Sequence, residues 1–251
     1  LFLPLSFLIY FISARLGGRT SYIWSFFGAS LIFYGWWHPP YVLLLLFSIV
    51  VNYSLARLLT LGDSRNKRVL VIGLTFNLGL LAYFKYAGFL AENILQNLNA
   101  GIDASSILLP IGISFFTFQQ IAYLIDVYRG IKTRYTFSEY GLFVSFFPQL
   151  IAGPIVHHRE MMPQFLKLNW KDAGLRIAIG LSLIIFGLFK KVILADNVAE
   201  YSTPVFEMAD SGVPITLLPA WIGALGFSLQ IYFDFSGYTD IDIDIDIGIG
   251  I

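Results

Sequence analysis

Four long runs of the chain, Thr20–Ala56, Ala104–Ile125, Tyr140–His158 and Ser211–Phe233, contain no Asp, Glu, Lys or Arg. A helix that crosses the hydrocarbon core of a bilayer needs about 20 predominantly apolar residues, so the first run suffices for nearly two. Charged residues make up 13% of the chain, and the mean hydropathy is +0.73. Water-soluble domains carry roughly 25% charged residues. In lipid every backbone polar group must find its partner inside the protein, which leaves helices and closed barrels. The two-residue alternation of a barrel is absent before residue 240. The expected class is therefore all-α, a polytopic transmembrane helical bundle.

Eight membrane segments are predicted: Leu1–Leu16, Ser21–Trp37, Tyr41–Leu59, Val69–Phe84, Ile107–Ile125, Tyr140–Val156, Ile177–Leu194 and Ile215–Phe233. Pro or Gly interrupts the fifth and sixth, and either could re-enter the membrane instead of crossing it. Lys and Arg near segment ends set orientation, with the cytoplasmic side the more basic. The odd-numbered connections hold Arg15, Arg19, Arg57, Arg65, Lys67, Arg68, Arg129, Lys132, Arg134, Lys190 and Lys191; the even ones hold Lys85, Arg159, Lys167, Lys171 and Arg176. Eleven against five places the odd connections in the cytoplasm, and a re-entrant segment flips everything beyond it.

Sixteen residues of each sign cancel, so charge points to no nucleic acid and no strongly acidic or basic partner. The chain has no cysteine, which excludes disulfides, thiolate metal sites and a cysteine acyl-enzyme within these residues. It starts at Leu1 inside an apolar run, and the true start is expected upstream. Glu92–Ser106 reads as a linker, Asn169–Ala173 as the start of a surface helix, and Asp196–Gly212 as an acidic extramembrane loop carrying a short interfacial helix. Asp240–Ile251, DIDIDIDIGIGI, would as a strand put its acids on one face. As a helix it would scatter carboxylates around the circumference. A calcium loop wants Gly at its sixth position, where Ile247 stands. Residues 1–239 are therefore taken as a partial transmembrane domain and 240–251 as an anomalous, artificial end.

The stretch around which the chain is organised is Ser145–Phe165, SFFPQLIAGPIVHHREMMPQF. Pro148 and Gly153-Pro154 break an apolar segment that leads into His157-His158-Arg159-Glu160. Broken backbone at membrane depth is tolerated only against other protein or a water-filled cavity, so this element is expected to line an interior feature with a polar mouth.

Together with LPIGISFFTFQQIAYLIDVYRG (Leu109–Gly130), LGLLAYFKYAG (Leu78–Gly88), FYGWWHPPYVLLLLFSIVVNY (Phe33–Tyr53) and FSLQIYFDFSGYTD (Phe227–Asp240), that stretch resembles the membrane-bound O-acyltransferase family. The likeness is to its bacterial, alginate O-acetyltransferase-like branch and runs from Leu1 to about Asp240. It implies helices ringed around a central tunnel in the bacterial inner membrane. The co-substrate would be an acyl thioester, acetyl-CoA or an acyl carrier protein, with no bound cofactor. The acceptor would be a hydroxyl of an exported or cell-wall polysaccharide, or a periplasmic or extracellular acetyltransferase partner. Membrane lipid surrounds the protein. The family's histidine, in a Trp-His-Gly context, would take the proton from the attacking hydroxyl, as an imidazole near neutrality can. No such tripeptide occurs here, so no catalytic residue is assigned within the chain. The base is expected beyond Ile251, and these residues alone are expected to be inactive.

Candidates for the tunnel wall and mouth are Gln149, Gly153, Pro154, His157, His158 and Arg159; Asp234, Ser236 and Tyr238 are candidates for support of the site. The plainer reading of His157 and His158 is a solvated cluster at the membrane edge. Zinc is not expected, because adjacent histidines point apart on a helix and no third ligand is spaced nearby. For Asp234 and Asp240 the plainer reading is helix packing or capping. Gln119, Gln120 and Asp126 suit interhelical hydrogen bonds, and His38 and Lys85 the interface. Lys190-Lys191 suits an anchor, or less simply the phosphates of coenzyme A. The rival function is a transporter or exporter of lipid-linked sugar, since paired broken segments also mark transport sites.

Overall fold

The computed structural model describes residues 2–60, 66–90, 108–131, 135–152, 157–166 and 173–249. Among them there are helices and no strands. The chain divides into two compact units. The first comprises Leu1–Ile151 and Ile155–Leu166, and the second Ala152–Pro154 and Lys167–Ile251.

In the first unit, α1 (Phe2–Trp37) takes in the first two predicted segments but doubles back at Gly18, whose φ of 70° and ψ of −167° are not helical. A straight helix would hold Phe2 and Phe33 ~46 Å apart; their ring centroids are 5.3 Å apart, and those of Tyr10 and Phe26 4.5 Å. Glycine suits the bend because φ is positive there. The hairpin closes on aromatic pairs, with Tyr10, Tyr22 and Phe26 buried between its arms.

α2 (Pro39–Thr60) and α3 (Lys67–Leu90) follow, and α4 (Ile113–Tyr128) starts six residues later than the predicted fifth segment. Its N-cap is Gly112, at φ 72°, where a Cβ would lie 2.3 Å from the carbonyl oxygen of Leu150. The predicted sixth segment is two short helices, α5 (Phe137–Ser145) and α6 (Phe147–Ala152), parted at Phe146 just before Pro148. Pro148 has no N–H to offer the carbonyl four residues back and its ring would crowd that carbonyl, so α5 cannot continue through it, whereas Pro148 fits the first turn of α6. α7 (His158–Leu166) completes the unit.

The interior of α2 to α5 holds a polar core. Asn52 and Asn77 exchange side-chain hydrogen bonds, at 3.2 and 2.6 Å. Gln120 donates to Ser48 at 3.0 Å and accepts from the Tyr140 hydroxyl at 3.4 Å. All five side chains are fully buried. Buried amides with no partner are costly, so these pairs fix which faces of the helices meet. The expectation that Gln120 serves interhelical bonding holds.

In the second unit, α8 (Ala173–Leu188) runs through a π-helical turn (Phe189–Ala195) into α9 (Asp196–Asp210), and α10 (Leu217–Ile249) packs along both. Asp196–Gly212, expected as a loop with a short helix, is almost wholly the 15-residue α9. α8 and α10 meet closely: a Cβ on Gly187 would lie 2.7 Å from the Gly237 carbonyl oxygen, and one on Gly237 2.8 Å from that of Gly187. The backbone of Asp240–Ile249 is helical, not the strand that its alternation suits.

Among the described residues, Pro39–Thr60, Lys67–Tyr86 and Ile177–Asp210 are long and apolar enough to cross a membrane. The architecture is that of a helical membrane protein. The linker Glu92–Ser106 and the helix start at Asn169 lie outside the described residues.

The Asn52–Asn77 pair yields a test. Asn77→Leu alone strands a buried amide and should cost about 1–3 kcal/mol. Changing both to Leu should cost less than either single change. Thermal unfolding midpoints of the three variants of the full-length protein in detergent check this; equal, additive losses would refute it.

Candidate functional site

The polar centre of the first unit is built on Asp126, in the last turn of α4. Gln119, Tyr123 and Asp126 are spaced four and three residues apart, so they share one face of the helix, and all three are buried. Past Asp126 the chain turns sharply. Gly130 donates to the Val127 carbonyl and Ile131 to that of Asp126, at 3.0 and 3.1 Å, the paired bonds of a Schellman closure.

The next element starts with a capping box: Thr136 accepts from the Glu139 backbone N–H, and the Glu139 carboxylate accepts from that of Thr136 at 2.8 Å. Each satisfies a donor that the helix itself leaves open. The other Glu139 oxygen pairs with Arg19 at the bend of α1. Tyr135, just ahead of this cap, stacks on the ring of Tyr123.

α7 brings the third component. His158 is 1% exposed; its Nε2 lies 3.1 Å from Asp126 Oδ2, and its Nδ1 3.2 Å from the Tyr135 hydroxyl. Arg159 donates to Asp126 Oδ1 at 3.1 Å, and His157 Nδ1 lies 3.7 Å from Oδ2. Tyr123, Tyr135 and Phe143 stand edge-on to the His158 ring, with centroids 5.1, 5.8 and 6.1 Å away. The side chains of His157 and Arg159 are 59% and 51% exposed, so the cluster is anchored inside and open outside.

An ionised carboxylate only accepts, so Nε2 carries the His158 proton and Nδ1 accepts from Tyr135. Burial lowers the proton affinity of His158, Asp126 partly restores it, and Arg159 and His157 oppose it. The ring is therefore neutral near pH 7. A carboxylate-oriented imidazole of this kind could take a proton from an oxygen placed where the Tyr135 hydroxyl now sits. The exposed Arg159 is suited to an anion.

The predicted candidates are placed as follows. His157, His158 and Arg159 meet on one carboxylate. The expectation that the histidines point apart fails because α7 begins at His158; His157 precedes the helix and is free to turn back toward Asp126. Gln149 is buried on α6. Gly153 and Pro154 lie outside the described residues. In the second unit, Lys190 reaches Ser236 at 3.0 Å and Asp240 at 2.5 Å, and Lys191 reaches Asp196 at 2.5 Å and Asp234 at 2.9 Å. Asp234 and Ser236 thus join one ionic cluster. Tyr238 is 41% exposed. Lys190 and Lys191 pair with carboxylates of their own unit.

Asp126 and Tyr135 were not among the predicted site residues. An acid in an otherwise apolar helix is by default a candidate for function, and that signal was present for Asp126. Tyr135 carries none in the sequence.

Residues 127–251 match the membrane-bound O-acyltransferase family. The chain is 40% identical, over 96% of its length and 50% of the relative's, to a peptidoglycan O-acetyltransferase of Helicobacter pylori. It is 36% identical to a probable alginate O-acetylase of Pseudomonas aeruginosa, over 85% of the chain and 41% of the relative. A teichoic acid D-alanyltransferase of Streptococcus thermophilus is 26% identical over 53% of the chain and 33% of its own length. The chain spans about half the length of the curated relatives that it matches over most of its own length.

The depressed proton affinity of His158 makes stability depend on pH. Because the folded value lies below the unfolded one, near 6.5, the unfolded state binds the proton more readily. The stabilisation is present above about pH 6.5 and is lost as pH falls below it. Thermal midpoints of the full-length protein between pH 7.5 and 5.5 should therefore drop more for the parent than for His158→Gln. Parallel profiles would refute this.

Proposed function

The chain belongs to the membrane-bound O-acyltransferase family, and from that premise we propose that the intact protein moves an acyl group, an acetyl in the first instance, onto a hydroxyl of an exported or cell-wall polysaccharide. The observation that carries the proposal is the likeness to an O-acetyltransferase along 96% of the chain. The donor is an acyl thioester, acetyl-CoA or an acyl carrier protein. The acceptor is the polymer itself or a periplasmic or extracellular partner that completes delivery. The setting is the bacterial inner membrane, with about eight membrane segments in these residues ranged around a tunnel. The relatives' names speak for acyl transfer and lend nothing to the exporter reading.

In the reaction the acceptor oxygen attacks the thioester carbonyl carbon, a base takes the hydroxyl proton, and the C–S bond breaks to release the thiol. We assign the base to a histidine in a Trp-His-Gly context outside residues 1–251. His157, His158 and Arg159 then form the polar mouth of the substrate path, with Gln149, Gly153 and Pro154 as its wall. Asp126 holds the mouth in shape, and Asp234 and Ser236, with Tyr238 nearby, support the packing of α10. The buried Asp126–His158 pair favours this division of labour, since both His158 nitrogens already have partners.

The test uses the full-length protein in membrane vesicles with an acetyl thioester and an envelope polysaccharide. Acetate ester should appear on the polymer, and Asp126→Asn or Arg159→Ala should lower the rate about 10²-fold through misplacement of the site. No ester formation with any envelope polymer or carrier would overturn the proposal. Undiminished rates in both variants would remove the cluster from the substrate path.

A further inference from the structure

α4 connects two levels of the first unit. Near its start, the carbonyls of Leu108 and Ile111 accept from Tyr41 and Tyr34, which flank the second connection at Trp36–Pro40. At its other end Asp126 and Arg129 lead into the fifth connection. There the Tyr135 carbonyl accepts from Tyr53, on the half of α2 that leads to the third connection, and Glu139 pairs with Arg19 of the first. The odd-numbered connections thus share one level.

For the stretch between Tyr135 and His158 the sequence left both a crossing and a re-entrant course open. A crossing would part its ends by ~30 Å. Instead the Tyr135 hydroxyl is 3.2 Å from His158 Nδ1, and Asp126 binds His158 and Arg159. Between these points the chain goes deep: Phe147 meets Phe2 and Phe33, and Leu150 lies against Gly112, at the far end of α4. A second contact agrees. Phe165, near the end of α7, accepts through its carbonyl from the Tyr22 hydroxyl at 2.7 Å, three residues from Arg19. Both ends of α7 therefore lie at the level of the first and fifth connections.

We propose that residues 135–158 re-enter the membrane from one face and return to it, so that His157, His158 and Arg159 open on the cytoplasmic side with the first, third and fifth connections. Charge supplies independent support. Counting Arg159, Lys167, Lys171 and Arg176 with the fifth connection, and exchanging Lys190 and Lys191 accordingly, gives thirteen basic residues against three. A full crossing gives eleven against five, a weaker bias toward the cytoplasmic side. The ligand of the half-exposed Arg159 and His157 then arrives from the cytoplasm. On the acyltransferase reading, on which this last step rests, the cluster attends the thioester donor and not the polymer.

The experiment asks which face is reached, independently of activity. In the full-length protein, with any native cysteine replaced, single cysteines are introduced at exposed positions: Asn66→Cys in the third connection, Pro40→Cys in the second, and Pro163→Cys and Arg159→Cys on α7. Each is treated with a membrane-impermeant maleimide in right-side-out cells and in inverted vesicles. Pro163→Cys and Arg159→Cys should label like Asn66→Cys, in inverted vesicles and not in cells. Labelling with the pattern of Pro40→Cys, or from neither face, overturns the proposal. Because two positions on α7 report, misfolding of one variant does not decide the outcome. Correct sidedness without acetyl transfer would instead count against the acyltransferase reading alone.

Discussion

A carboxylate removed from water must be compensated by charges or hydrogen bonds brought to it, and Asp126 imposes that requirement on the first unit. Its two oxygens face His158, Arg159 and His157, all from a segment more than thirty positions later in the chain. Satisfying Asp126 therefore ties the end of α4 to the start of α7. Through the His158 ring it also ties both to Tyr135 and the head of α5. Loss of one partner would leave a buried carboxylate less fully compensated and loosen this tie.

The same logic operates deeper, with neutral groups. Asn52 with Asn77, and Ser48 with Gln120 and Tyr140, fill one another's hydrogen-bonding capacity at full burial. Lipid contacts do little to choose between helix faces, because hydrocarbon is as apolar as leucine. Polar pairs do choose, and they hold α2, α3, α4 and α5 in one register. Tyr140 then links this core to the site by contact, since its ring packs on Tyr123 and Tyr123 on His158. The aromatic hairpin of α1 supplies the remaining wall through Phe26 against Phe146 and Phe165.

Helix existence was legible wherever apolar runs were long, and so were the breaks. Arg15 to Arg19 marked the bend of α1, and Pro148 marked the gap between α5 and α6, because glycine and proline act on the backbone locally. The partners were not legible. Asp126 and His158 are 32 positions apart, and Lys190 and Asp240 are 50; no local pattern encodes such pairings. The two histidines misled for a related reason. Their spacing was read as helical, whereas α7 starts between them. The π-helical turn at Phe189–Ala195 also left no mark, since its residues suit an α-helix equally well. It adds a register shift that aims Lys190 and Lys191 at α10, so the motif FDFSGY acquires ionic partners that its own composition does not announce.

The two charged clusters differ in a way that bears on ligands. In the second unit three carboxylates, Asp196, Asp234 and Asp240, surround two lysines. Each lysine is already matched, and a phosphate arriving there would meet an excess of negative charge. In the first unit one buried carboxylate faces an arginine and two imidazoles, with Arg159 and His157 turned half toward solvent. Approach of an anion is then favoured by the half-exposed Arg159, while Asp126 keeps its guanidinium aimed. By contact, carboxylates outnumber the lysines in the second unit, whereas potential cations outnumber the carboxylate in the first.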